Sequence, residues 1–208
     1  IVFMGMGEPL LNYKNVFIGY NLRFHPVVQY IKNNIEINKI LNINIRCMSD
    51  LKNWRSKYYH ESYSASKKLG GGVHYDLSHE IDYLIWLFGK PIKYSIYKKK
   101  LSNLKIDSID SYNISGILKR SKIFNLHLNY YSKKNIREIM ILSNHDLYIC
   151  DLIKYEIKIF SDKNIKKLKF KKNINTTYYN QHMDILYATN KISCNFKEAA
   201  YITNLLIK

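Results

Sequence analysis

Asp76 and His79, three residues apart, follow three consecutive glycines, Gly70, Gly71 and Gly72. On a helix that spacing makes the carboxylate and the imidazole neighbours. An aspartate so placed can orient a histidine and tune its basicity for proton transfer. Consecutive glycines permit positive φ and let the backbone approach another group closely. Leu77, Ile81, Leu84, Ile85 and Phe88 recur at the spacing that buries one stripe of a helix. Asp76, His79, Glu80 and Tyr83 fall mainly on the other side. An Asp/His pair alone is more often the solvated side of an amphipathic helix than a reaction centre, and both readings stand at this point.

The flanking sequence must position that segment. Phe17 to Phe24 reads as a strand that turns at His25-Pro26 into a helix over Val27 to Lys32, with Pro26 in the first turn. Another alternating strand surrounds Ile40 to Arg46. A loop with Trp54-Arg55 and Tyr63-Ser64-Ala65 then leads into the glycines. From about residue 92 to 172 the pattern has period two. It predicts strands at 92–98, 112–118, around 123–130, and at 136–142, 146–150 and 154–160. The turns between them hold Asn, Asp, Ser and Lys. Helices are expected over Tyr179 to Asn190 and again after Asn195. Glu198 completes a capping box there, and Ala199, Ile202, Leu205 and Leu206 form the buried face. The order implies an α+β fold: one large, mostly antiparallel sheet of about five or six strands with helices packed on one face.

Composition narrows the partners. Hydrophobic residues make up 47% of the 208, enough for a real core, and the longest apolar runs are too short to span a bilayer. Cys47, Cys150 and Cys194 are odd in number and have no metal-ligand spacing, which suits a reducing cytoplasm with no disulfide and no metal. The formal charge of +17 attracts phosphates whatever their sequence. The excess is nearly all lysine, in a chain also rich in Ile, Asn and Tyr, the residues that AT-rich codons supply. Nucleic acid is therefore not the expected partner. Lys98–Lys100 and the lysines of 166–172 read instead as solvated strand edges, where lysine discourages edge-to-edge pairing. His127 reads as a surface or interface histidine.

Several pieces occur in one order: Gly19-Tyr20-Asn21-Leu22-Arg23-Phe24-His25-Pro26, Trp54-Arg55, Tyr63-Ser64-Ala65 and the Gly70–Gly89 block. In these the sequence resembles the Gfo/Idh/MocA family of NAD(P)-dependent oxidoreductases. The likeness is strong over about a third of the chain and looser over most of the rest. It implies that 17–208 is the family's C-terminal domain, which supplies substrate pocket and oligomer interface, so a homo-oligomer through the sheet face is expected. It implies that His79 is the acid/base and Asp76 its partner, although the commoner spacing separates the two by four positions rather than three. Arg23, Arg55 and Tyr63 become candidates for the substrate side, an arginine suiting a carboxylate or phosphate on a sugar-like substrate. A structural salt bridge or a packed tyrosine is the competing reading for each. The implied cofactor is NAD or NADP, and the implied substrate a sugar, polyol or nucleotide-sugar.

The same comparison exposes departures. No Gly-x-Gly-x-x-Gly lies between a strand and a helix, so the dinucleotide-binding Rossmann domain is expected to be absent. The family's Glu-Lys-Pro motif has no counterpart beyond Glu8-Pro9. Residues 1–16 instead resemble a segment of the radical-SAM adenine-C2 RNA methyltransferases, without that family's cysteine cluster motif. The expectation is a junction, with 1–16 foreign to the oxidoreductase domain of 17–208. An inactive remnant or oligomerisation module is the first alternative function. A basic nucleic-acid-associated protein is the second.

Overall fold

The computed structural model describes residues 3–4, 16–55, 58–187 and 191–208. Most of residues 1–16, including Glu8-Pro9, therefore lies outside the described residues. Strand β1 (Phe3–Met4) pairs antiparallel with β2 (Phe17–Ile18), which pairs in turn with β11 (Cys194–Asn195). The strand expected over Phe17 to Phe24 thus stops at Ile18. Residues Asn21–Phe24 wind into a buried 3-10 turn because their polar side chains have fixed partners. Asn21 Nδ2 donates to Thr177 Oγ1 at 2.7 Å, and Arg23 is claimed by Asp82. Helix α1 (Pro26–Asn34) follows with Pro26 at its first position, and His25 Nδ1 accepts from Val27 N–H at 3.2 Å as its cap.

The main sheet has eight strands rather than five or six. It uses β3 (Ile40–Asp50), β4 (Pro91–Lys99), β5 (Ser111–Leu118), β6 (Ile123–Asn129), β7 (Tyr131–Ser143), β8 (Leu147–Asp151), β9 (Glu156–Phe160) and β10 (Ile165–Lys169). Their order is β10-β9-β8-β7-β3-β6-β5-β4. Every pair is antiparallel except β3–β6. The two lysine-rich segments lie on β10 and at the end of β4, the two outer strands, where their charge guards open backbone groups. Period two is obeyed at the centre: Ile43 and Ile45 are buried, whereas Asn44 and Arg46 lie on the opposite face. On that open face Ile117 and Ile123 form one apolar group and Leu142, Leu147, Phe160 and Ile165 another, with Asn42 of β3 between them.

Helices cover the inner face. After the short α2 (Leu51–Trp54) come α3 (Val73–Asp76), α4 (His79–Phe88), α5 (Asn175–Leu186) and α6 (Phe196–Ile207). The expected capping box at Asn195/Glu198 is present, as is the buried face of Ala199, Ile202, Leu205 and Leu206. Helix α5 starts four residues before the expected Tyr179; its expected end, 188–190, lies outside the described residues. All three cysteines are buried and free.

Helix α4 departs most from the sequence reading. Leu77, Ile81, Leu84 and Phe88 are buried as expected, but so are Glu80, Asp82 and Tyr83, at 0–1% exposure. The expected polar face is an inner face. Glu80 is reached from the sheet by Arg137 Nε at 2.6 Å, and Asp82 is gripped by Arg23. Each buried carboxylate has its own guanidinium, the condition under which a charge can leave water.

Candidate active site

The glycine turn seats the site. A Cβ on Gly71 would lie 2.1 Å from the Tyr63 carbonyl oxygen and 2.7 Å from that of Ser64, so only glycine lets the two backbones meet. Val73 N–H donates to Ile109 O at 2.9 Å and ties the next residue to the strand side. Helical structure then comes in two pieces. Leu77 and Ser78 separate α3 from α4, and the hydrogen bonds Ser78 N–H to Tyr75 O and Glu80 N–H to Leu77 O span this junction.

That break separates the expected pair. The Asp76 carboxylate accepts from the Tyr130 hydroxyl and faces the Arg55 guanidinium at 3.7 Å. Burial and the Asp76 charge both push the Tyr130 hydroxyl up, so it remains a donor. His79 Nδ1 is buried with no hydrogen-bond partner, so Asp76 does not orient this imidazole. The ring is held instead by Tyr20, edge-on at 5.3 Å between centroids.

Asp76 and His79 nevertheless line one cavity of about 930 Å³. Tyr63, Gly70, Gly71 and His74 line it too, as do Tyr20, Asn21, Lys98 and Thr203. Arg55 stands behind Tyr63, donating to its hydroxyl at 2.6 Å and to Ser64 Oγ at 3.0 Å. Its guanidinium stacks between the Trp54 and Tyr63 rings at 4.7 and 4.6 Å. Arg23 is not a cleft residue. Its guanidinium contacts Asp82 at 2.6 Å, Glu198 at 2.9 Å and the Ile192 carbonyl at 3.1 Å, leaving the side chain 3% exposed. This is the structural salt bridge rather than a substrate arm. His74, Tyr20 and Tyr130 were not among the expected site residues; His74, inside the glycine motif, and Tyr20, inside the Gly19–Pro26 piece, carried a local signal, and Tyr130 carried none.

The profile described as "Oxidoreductase family, C-terminal alpha/beta domain", that of Gfo/Idh/MocA proteins, matches residues 31–138, just over half of the chain. The chain belongs to this oxidoreductase family. No curated protein matches the sequence. Among solved structures the fold is similar to UDP-N-acetylglucosamine 3-dehydrogenase from Acidithiobacillus ferrooxidans (TM-score 0.71, 14% identity, 91% of this chain and 58% of that one). It is also similar to a levoglucosan dehydrogenase in complex with NADH and levoglucosan (TM-score 0.72, 14% identity, 83% and 56%). A dehydrogenase from Clostridium difficile shares 20% identity (TM-score 0.66, 91% and 59%). At these identities the likeness shows the fold, and the chain spans less than two thirds of each of these structures.

In this oxidoreductase domain the described residues do not fit a dinucleotide. The parallel pair β3–β6, the one parallel pair among the described residues, is not joined through a glycine-rich strand–turn–helix unit and so forms no phosphate cradle. No helix among the described residues is long and apolar enough to cross a membrane.

Three imidazoles are held neutral by burial: His25 and His74 are pushed down to about 4, and His79 to about 3. The unfolded chain takes up these protons near the ordinary histidine value of about 6.5, whereas the folded chain does not until roughly pH 4. The domain therefore loses stability as pH falls below about 6.5. The loss at about pH 5 is roughly 2 kcal/mol for each of the three. Asp82, whose carboxyl burial pushes up to about 6, works the other way and returns about 1 kcal/mol over the same interval. Urea midpoints at about pH 7 and pH 5 check the balance. Equal midpoints would show that the histidines are not buried neutral.

Proposed function

We propose that this domain is the substrate side of an NAD(P)-dependent oxidoreductase acting on a hydroxyl or carbonyl of a sugar, polyol or nucleotide-sugar, with His79 as acid/base. The observation that carries the reading is His79 itself: a neutral imidazole on the wall of a cavity large enough for a sugar, in the family's glycine-turn context. Neutral imidazole can accept a hydroxyl proton and return it in the reverse direction. Burial makes it a weak base, and negative charge developing on the substrate oxygen would strengthen it. Asp76, Arg55 and Tyr63 act here as a positioning group. Asp76 secures Tyr130, and Arg55 holds the Tyr63 ring at the cavity wall. The hydride partner, a nicotinamide in the family's pattern, would be carried outside the described residues.

The two apolar groups that flank Asn42 on the open sheet face, with Ile117, Ile123, Leu142 and Ile165 exposed, support a homo-oligomer formed through that face, where burial of such residues is the main driving force. The test of the function is turnover of the full-length protein with NAD, NADP and a panel of hexoses, hexitols and nucleotide-sugars, followed at the nicotinamide absorbance. Turnover of at least one sugar or polyol is the expected result. Inertness across the panel with both cofactors would overturn the reading and favour the non-catalytic alternative.

A further inference from the structure

We propose that His74 is a second imidazole of the site, which selects substrate by holding a sugar hydroxyl beside the one that His79 deprotonates. This rests on reading the cleft as the substrate side of an oxidoreductase. His74 is only 3% exposed yet lines the same cavity as His79. Its Nδ1 is buried with no hydrogen-bond partner. A buried polar atom left unpaired is costly to maintain, and most such atoms in folded proteins find partners.

The ring is held in place. Tyr112 lies nearly parallel to it at 5.4 Å and 8°, and Tyr75 packs against it at 4.0 Å and 38°. Gly72, at φ +143°, is the residue that leaves it room. A Cβ there would come within 2.8 Å of His74 Cε1 and 3.1 Å of Nδ1. Gly71 and Gly72 thus have divided duties: Gly71 admits the backbone of the Tyr63–Ser64 turn, and Gly72 admits the imidazole. Burial and the neighbouring Lys98 charge keep the imidazole neutral, with one nitrogen to donate and one to accept. A hydroxyl, itself donor and acceptor, matches both nitrogens, whereas a carboxylate or phosphate can use only the donor. A ribose hydroxyl of the nicotinamide cofactor has the same chemistry, so the test must separate it from the substrate.

His74→Phe keeps an aromatic ring between Tyr75 and Tyr112 and removes both nitrogens. In the full-length protein kcat/KM for the sugar is expected to fall about 5- to 150-fold, mainly through KM. The preference of the wild type for a sugar over its monodeoxy analogue should vanish with it, and His74→Gln should restore part of both. An unchanged deoxy preference, or a change confined to the cofactor KM, would overturn the assignment. Wild-type inertness toward every sugar would topple the oxidoreductase reading rather than this one. His74 is then judged by the NMR signal of its Cε1 proton during titration of the wild-type chain with glucose, glucitol and myo-inositol. A saturable shift supports the proposal, and a signal unmoved by all three ends it.

Discussion

Replacing His79 with alanine is expected to lower kcat of the full-length protein by about two to four orders of magnitude, the usual contribution of a general acid–base residue. Alcohol oxidation must dispose of a hydroxyl proton, and an isolated alcohol gives it up poorly near neutral pH. Of the other groups on the cavity wall, Asp76 is committed to Tyr130 and Arg55. The alanine variant should therefore regain rate as pH rises and hydroxide takes over, which a merely structural defect would not produce. Cofactor affinity should be unchanged, because His79 is asked only to move a proton. Turnover close to wild type would remove His79 from the mechanism. His74 would then be the imidazole left to examine.

Arg23→Ala should destabilise the domain by about 3–5 kcal/mol, the usual result of leaving one member of a buried ion pair alone. For a chain of this size that lowers Tm by roughly 10 °C. The guanidinium closes onto both Asp82 oxygens and also holds Glu198 and the Ile192 carbonyl, so one side chain ties the Asn21–Phe24 turn to α4, α6 and the segment before β11. Its loss strands Asp82 at 1% exposure. Arg23→Met combined with Asp82→Leu should recover much of the stability, since an apolar pair needs no mutual charge compensation. Thermal melts of the two singles and the double measure the coupling. Strict additivity would show that Arg23 stabilises through contacts other than Asp82.

The fold was legible wherever short-range pattern decided it. Alternation marked the strands, Asn195 and Glu198 marked the start of α6, and lysine marked the outer strands. What the sequence concealed depended on partners far along the chain. Glu80 and Asp82 look like solvated residues because their arginines, Arg137 and Arg23, lie 57 and 59 positions away. Strand β3 looked like a lone early strand, yet it sits at the centre, since parallel pairing with β6 leaves no local turn signal. At the site, residue types were readable and geometry was not. His79 stands on the cavity wall, but Asp76 turns to Tyr130, a residue whose role no local spacing announces. Arg23 was visible as a notable arginine; only its surroundings show that it braces the fold.

The placement of β3 also constrains the order in which the chain can assemble. Strands β4-β5-β6 form one antiparallel meander and β7-β8-β9-β10 another, each buildable from near neighbours in sequence. Yet β6 and β7, separated only by Tyr130, do not pair with each other. The gap between them is filled by β3, which arrives from more than 70 residues upstream of β6 and fastens its end through Leu51 N–H to the Tyr130 carbonyl at 2.8 Å. β3 is thus a keystone, and its non-local insertion is the slow event that topology imposes on this domain. Until it seats, two adjacent inner edges stand open to a β3 from another copy, so strand exchange between molecules is the misassembly this architecture invites.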